Sequence, residues 1–183
     1  MRGGSWTYMP RMAGASAGTV ARGARGIRLA HMPDPLVRRE GNLRLVSVNS
    51  PGYPLDPPAL GARVQAFLDG QEAEANGPLV LLFALAPGDD GPATWECQTG
   101  YAVTGMAMGA DGVVVEDYRQ LTALHAPHLG PIRDLPETWR RLDAHARAMG
   151  WRPRPYWRLA LRDRRLADGN LLPEAEVSVF VDR

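Results

Sequence analysis

Lysine is absent from this chain: all 21 basic residues are arginine. Arginine codons are GC-rich, so the absence reads first as a compositional bias, and any role in bidentate anion recognition must be argued site by site. Cysteine is almost absent as well. Cys97 stands alone, which excludes an internal disulfide and fits a reducing cytoplasm, and Cys97 itself is read as a small strand residue. No Cys/His spacing resembles a zinc site, so neither a metal nor another cofactor is expected. No window approaches the ~20 continuous apolar residues of a membrane-spanning helix, and a membrane partner is not expected. Nor does an apolar core of ~7–15 residues follow the N-terminal charges, so a secretory signal is not expected.

What is present divides in two. Residues 1–39 carry seven arginines against one acid, Asp34, in a Gly/Ala/Ser-rich background such as Gly14-Ala15-Ser16-Ala17-Gly18. That stretch shows neither a 2- nor a 3.6-residue period, so it is expected to be a disordered extension. It also matches the Arg-rich, acid-poor composition of an organelle transit peptide, and Met12 or Met32 could be an alternative start. Residues 40–183 read as one domain. Since the whole chain has a formal net charge of only +1, this domain is net negative. That is a poor basis for non-specific nucleic-acid binding, which needs clustered cations. The extension also lacks the two periodic helices of a helix-turn-helix reader.

Within the domain one plan occurs twice. Leu43 to Val48 alternates as a strand, and Ser50-Pro51-Gly52-Tyr53-Pro54 turns the chain. Asp56 can then cap a helix that has Pro57 at its first position. Leu60, Val64, Phe67 and Leu68 form its apolar face, and it is expected to fray near Asn76-Gly77-Pro78. The apolar run Leu79 to Leu85 and the segment Thr94 to Val103 supply two more strands. The second copy begins with an extended stretch from Val113 to Leu124, broken around Asp117. After the turn at His128-Leu129-Gly130-Pro131, Asp134 and Glu137 read as a capping box. The helix presents Leu135, Trp139, Leu142, Ala146 and Met149 on one stripe and stops at Gly150. Tyr156–Asp163 and Glu176–Val181 are the closing strands, joined by a polar loop from Arg164 to Pro173. The expected class is α+β: a pseudo-twofold duplication of a β-α-β-β unit, antiparallel sheet with two helices on one face, and a central ligand cleft on the other.

The ordered set of the His128-Leu129-Gly130-Pro131 turn, the Trp139/Leu142 helix, Gly150 and the closing run Glu176-Val177-Ser178-Val179-Phe180-Val181 resembles the gyrase-inhibitor-like (GyrI-like) small-molecule-binding domain. Glu96–Val103 stands where that family has a Glu-β-Gly-β-Pro-β strand, β being a branched aliphatic, and the resemblance covers about Leu43 to Arg183. It implies effector binding, antibiotic sequestration or multidrug binding, or in some relatives hydrolysis of cyclopropane natural products. One departure bears on the ligand. Where many relatives have Glu-β-Tyr in the fifth strand, this chain has Arg158-Leu159-Ala160, so a neutral or anionic ligand is expected over a cationic one.

The candidate ligand-binding residues are Tyr53 and His128 at the two equivalent turns, Trp95, Glu96, Gln98 and Tyr101 in the third strand, Tyr156 and Arg158 in the fifth, and Glu176 in the last. Alternation places Tyr156, Arg158 and Ala160 on one face and Trp157, Leu159 and Leu161 on the other. Arg158 is expected to pair with Glu96 or Glu176 if it enters the cleft. His125 and His128 make no metal pair without further ligands, and no Ser or Cys has a base and an orienting acid in evident register, so no catalytic residue is assigned. The favoured function is a stand-alone binding protein, a monomer or weak dimer, that sequesters or senses a hydrophobic, planar small molecule. The alternative is a hydrolase with Glu96 or Glu176 as general base.

Overall fold

The computed structural model describes residues 34–84, 89–165 and 171–183, the side chains of 163–165 and 171–174 excepted. Most of the N-terminal extension lies outside them. The strand β1 spans Leu36–Ser50, so residues 36–39 are not extension but strand. Leu36 to Arg39 pair with His125 to Thr122, and that cross-strand ladder is what the local composition could not register.

Helix α1 (Pro57–Leu68) starts as its residues dictate: the Asp56 carboxylate accepts from the Ala59 N–H at 3.0 Å. It stops at Leu68, earlier than the expected fraying point. A short strand, β2 (Glu72–Ala75), follows and pairs with the far end of β4 (Cys97–Met106). Nothing in four residues of alternating Glu and Ala announces a strand; the exposed edge of β4 supplies the partner. The third-strand expectation also moves, because Pro92–Thr94 form a 3-10 turn and leave Trp95 and Glu96 ahead of the strand.

β3 spans Leu79–Phe83 and β5 spans Val113–His128. The break expected at Asp117 is absent. The chain instead bulges near Gln120, whose φ is +53° and whose N–H is held by Asn42 Oδ1 at 3.1 Å. The capping box is absent too. A 3-10 turn over Ile132–Asp134 runs directly into α2 (Leu135–Ala148), Asp134 makes no side-chain cap bond, and Glu137 faces Arg141 and Arg140. Gly150, at φ +79°, is the expected left-handed stop. β6 (Arg152–Arg165) and β7 (Leu171–Asp182) take up half of the segment expected to be a loop, whose residues 166–170 lie outside the described residues.

All pairings are antiparallel, in the order β1-β5-β7-β6-β3-β4-β2. β1 pairs with β5 and, from Leu45 onward, also with β4. Six strands therefore return on themselves, with β2 added outside β4. Gly100 makes that closure possible: a Cβ there would lie 2.0 Å from the Val46 carbonyl oxygen.

Both helices pack on one face. Under α2, Phe83, Trp157, Leu159, Val177 and Val179 meet Leu135, Trp139, Leu142 and Ala146, with the Trp139 ring 4.8 Å from Trp157 and 5.1 Å from Phe83. Met149, expected on this stripe, is exposed. Under α1, Val46, Val48, Val103 and Val113 meet Val64 and Leu68. The other face carries Leu45, Val80, Leu82, Leu121, Ala123, Ala160 and Phe180. It is thus not a bare concave surface but a second, smaller core interrupted by polar groups. Among the described residues no helix is long and apolar enough to cross a membrane.

Candidate functional site

Strand parity sorts the candidate residues before any chemistry is considered. Tyr53, Trp95, Tyr101 and His128 belong to the helix-packed face. Trp95 is buried with Trp139 and Phe83, Tyr53 packs against the same cluster, and Tyr101 packs beneath α1. His128 is spent on its own turn, with Nδ1 2.9 Å from Thr138 Oγ1 and Nε2 3.2 Å from the Pro131 carbonyl oxygen. Burial, opposed by that carbonyl, holds its pKa below the ordinary value. None of the four lines either cavity described below.

Tyr156, Gln98 and Glu96 do come together. They line a cavity of about 610 Å³ with Leu82, Glu116 and Tyr118 among its other walls. The Tyr118 and Tyr156 rings meet edge to face, with centroids 5.6 Å apart. The Tyr118 hydroxyl donates to Glu116, and burial together with that bond raises its pKa. Gln98 Oε1 is buried and has no hydrogen-bond partner among the described residues. The sequence reading missed Tyr118 and Glu116, although the alternation of β5 before its bulge puts 116 and 118 on the face of Leu45 and Leu43, their register partners.

Arg158 and Glu176 also point inward but belong to an ionic cluster. The expected partner of Arg158 was Glu96 or Glu176; the actual one is Glu40. Arg158 Nη1 donates to Glu40 Oε2 at 2.8 Å and Nη2 to Oε1 at 2.5 Å, a bidentate pair. Nη2 also reaches Ser178 Oγ at 3.2 Å, and the guanidinium carbon lies 5.4 Å from the Phe180 ring centre. Burial raises the Glu40 pKa, but His125 and Arg158 outweigh it and hold the carboxyl at about 2. Glu40 could not be paired from sequence, since its partner is 118 positions away.

His125 completes the cluster. Its Nε2 is 3.1 Å from Glu40 Oε1, and its Nδ1 is 3.2 Å from Glu176 Oε1 and 3.1 Å from Ser178 Oγ. Burial lowers its pKa, but Glu176 and Glu40 reverse the sign, so the ring favours the imidazolium. Glu176 is held below the usual carboxylate range, first by His125. His125 and His128 face opposite sides of β5, and among the described residues no group of three His, Cys, Asp or Glu side chains is placed to hold a metal. A smaller cavity of about 250 Å³ opens beside this cluster, lined by Leu36, Arg38, His125 and Glu176 among others.

Cys97 borders the larger cavity. Burial pushes its thiol up to about 11, which leaves it protonated and inert near neutral pH.

No family model and no curated protein matches the chain. Solved structures do. The C-terminal domain of EcmrR superposes with a TM-score of 0.64 at 12% identity, covering 81% of this chain and 97% of that one. The EcmrR chain in an EcmrR–DNA complex gives 0.60 at 12% identity, with 81% of this chain and 57% of that one. A hydrolase from Listeria innocua gives 0.56 at 12% identity, with 84% and 94% covered. At this identity the likeness is one of fold, and the shared fold is consistent with the GyrI-like architecture to which the motifs pointed.

Proposed function

We propose that this protein binds a planar, largely apolar small molecule, sensing or sequestering it in the cavity walled by Tyr118, Tyr156 and Leu82. The observation that carries this reading is a cavity of about 610 Å³ walled by an edge-to-face aromatic pair and Leu82, with the polar side chains of Glu96, Gln98 and Glu116 among its lining. Apolar walls with a few convergent polar groups are what small-molecule sites use. The strand pairing supports two β-α-β-β halves around it. β1, α1, β3 and β4 correspond to β5, α2, β6 and β7, and the pairings β1–β4 and β3–β4 correspond to β5–β7 and β6–β7.

Arg158 does not by itself determine the charge of the ligand in this reading. Glu40 neutralises that guanidinium, and the cavity itself offers acceptors: Gln98, Glu96 and Glu116. A flat molecule with hydrogen-bond donors on one edge fits these walls. Hydrolysis is less well supported. Glu176 is engaged by His125 and Arg162, and its lowered pKa makes it a weak base.

The test uses Nile red, a neutral planar dye, with the full chain. Saturable fluorescence enhancement is expected, weakened about tenfold by Tyr156→Ala and by Tyr118→Ala, as loss of roughly 1.4 kcal/mol of ring contact requires. Circular dichroism checks that the variants remain folded, and mass spectrometry that the dye is recovered unchanged. Saturation that is indifferent to both substitutions, or none at all, overturns the assignment of this cavity.

A further inference from the structure

Arg158, Ser178 and His125 are successive register partners on three adjacent strands, β6, β7 and β5. Each is oriented by groups other than Glu40. Ser178 Oγ lies within 3.2 Å of both Arg158 and His125, the Phe180 ring backs the guanidinium, and Glu176 holds the imidazole Nδ1. The three side chains thus form a donor surface held in part by contacts other than those to the carboxylate it binds. One donor on that surface remains unspent: Arg158 Nε is buried with no hydrogen-bond partner among the described residues. His125 Nε2 lies at ion-pair distance from Glu40 Oε1, 3.1 Å away.

The carboxylate that fills this surface arrives on the least regular part of the ring. Glu40 lies inside the register shift between Arg39 and Gly41, a second shift follows between Gly41 and Leu43, and Gly41 has φ +73°. In this stretch β1 pairs only with β5, because its pairing with β4 begins at Leu45. Leu36 and Val37, just upstream, are exposed. The smaller cavity, of about 250 Å³, opens at the imidazole beside them. Arg38, on the same wall, acts electrostatically on Glu176, which is already engaged by His125 and Arg162, and Asp34 is a further acid on that wall.

We infer that Arg158, Ser178 and His125 form a binding site for a small carboxylate, occupied within the chain by Glu40 and opened when an external carboxylate displaces it. The smaller cavity, which reaches the site at His125, shares no lining residue with the larger one, and the inference does not rest on the function proposed above. Bidentate recognition by arginine selects a planar carboxylate, and the adjoining space admits one with a small apolar body.

The experiment uses benzoate on the full-length wild type, Glu40→Gln, which keeps the side-chain volume, and Glu40→Ala. The His125 imidazole resonances and thermal unfolding report binding, with sodium chloride at equal ionic strength as control. Both variants should saturate with benzoate and not with chloride. The wild type should saturate at concentrations at least roughly tenfold higher, because a tethered carboxylate competes at millimolar or greater effective concentration. Adding Arg158→Met to Glu40→Gln should abolish binding. The site is refuted if neither variant binds, if binding survives loss of Arg158, or if chloride acts equally. It is refuted as an openable site if the wild type is unmoved at concentrations about a hundredfold above those that saturate the variants.

Discussion

Replacing Gly100 with alanine tests the closure of the ring directly. The added Cβ would sit 2.0 Å from the Val46 carbonyl oxygen and 2.6 Å from the Ser47 Cα. Both obstacles are backbone, so no side-chain rotation relieves them, and β1 must move away from β4 along the Ser47–Gly100 rung. In a close-packed interior such overpacking costs about 3 kcal/mol or more, a large fraction of the ~5–15 kcal/mol that holds a domain together. Gly70 is the matched control. A Cβ there would meet only the Phe67 carbonyl oxygen at 3.7 Å, an ordinary contact, so Gly70→Ala should be neutral or stabilise by about 0.4–1 kcal/mol through the unfolded chain. Urea unfolding followed by tryptophan fluorescence measures both, with opposite signs expected. Because Asn49 and Gln98 lie on the same pair of strands and line the larger cavity, Gly100→Ala should also weaken Nile red binding. A Gly100→Ala protein as stable as the wild type would refute the β1–β4 pairing.

Two further outcomes concern the ionic cluster. Arg158→Met leaves the Glu40 carboxylate, 18% exposed, with His125 alone, and should destabilise by about 3–5 kcal/mol. Adding Glu40→Gln should recover part of that loss, and a double-mutant cycle with strictly additive effects would show that the two side chains do not interact. The cluster also fixes a pH window. Glu40 is lowered from its ordinary 4.5 to about 2, so its contribution is full above pH 4.5 and is lost as the pH falls through about 2. His125 is raised above 6.5, so its contribution is full below pH 6.5 and is lost as the pH rises through its folded value. The groups facing it are Glu40, Glu176 and, through Ser178, Arg158. The stability difference between wild type and His125→Gln should therefore be largest at about pH 5–6 and shrink toward alkaline pH. A difference that grows with pH would show that His125 is neutral in the fold.

Much of the fold was legible because its causes are local. Asp56 and Pro57 start one helix and Gly150 ends the other. The stripe of Leu135, Trp139, Leu142 and Ala146 declared its buried face. The alternation of Tyr156 to Leu161 sorted inner from outer residues correctly. The misplaced strands have a common physical origin. β2, the strand residues 36–39 and the uninterrupted β5 exist because a partner strand is available, and that partner lies far away in sequence.

The candidate site was legible by the same division. By itself the sequence determined an α+β chain, the two helices, the inward side of β6, and the presence of Arg158 where a carboxylate might have stood. Only the tertiary structure decided what Arg158 means. Charge in a protein interior is set by its neighbours, and Glu40 and His125 reach it across a ring of strands whose pairings link residues dozens of positions apart. The larger cavity follows the same rule: Tyr118, Tyr156 and Gln98 share it because three strands place them there, which no local pattern encodes.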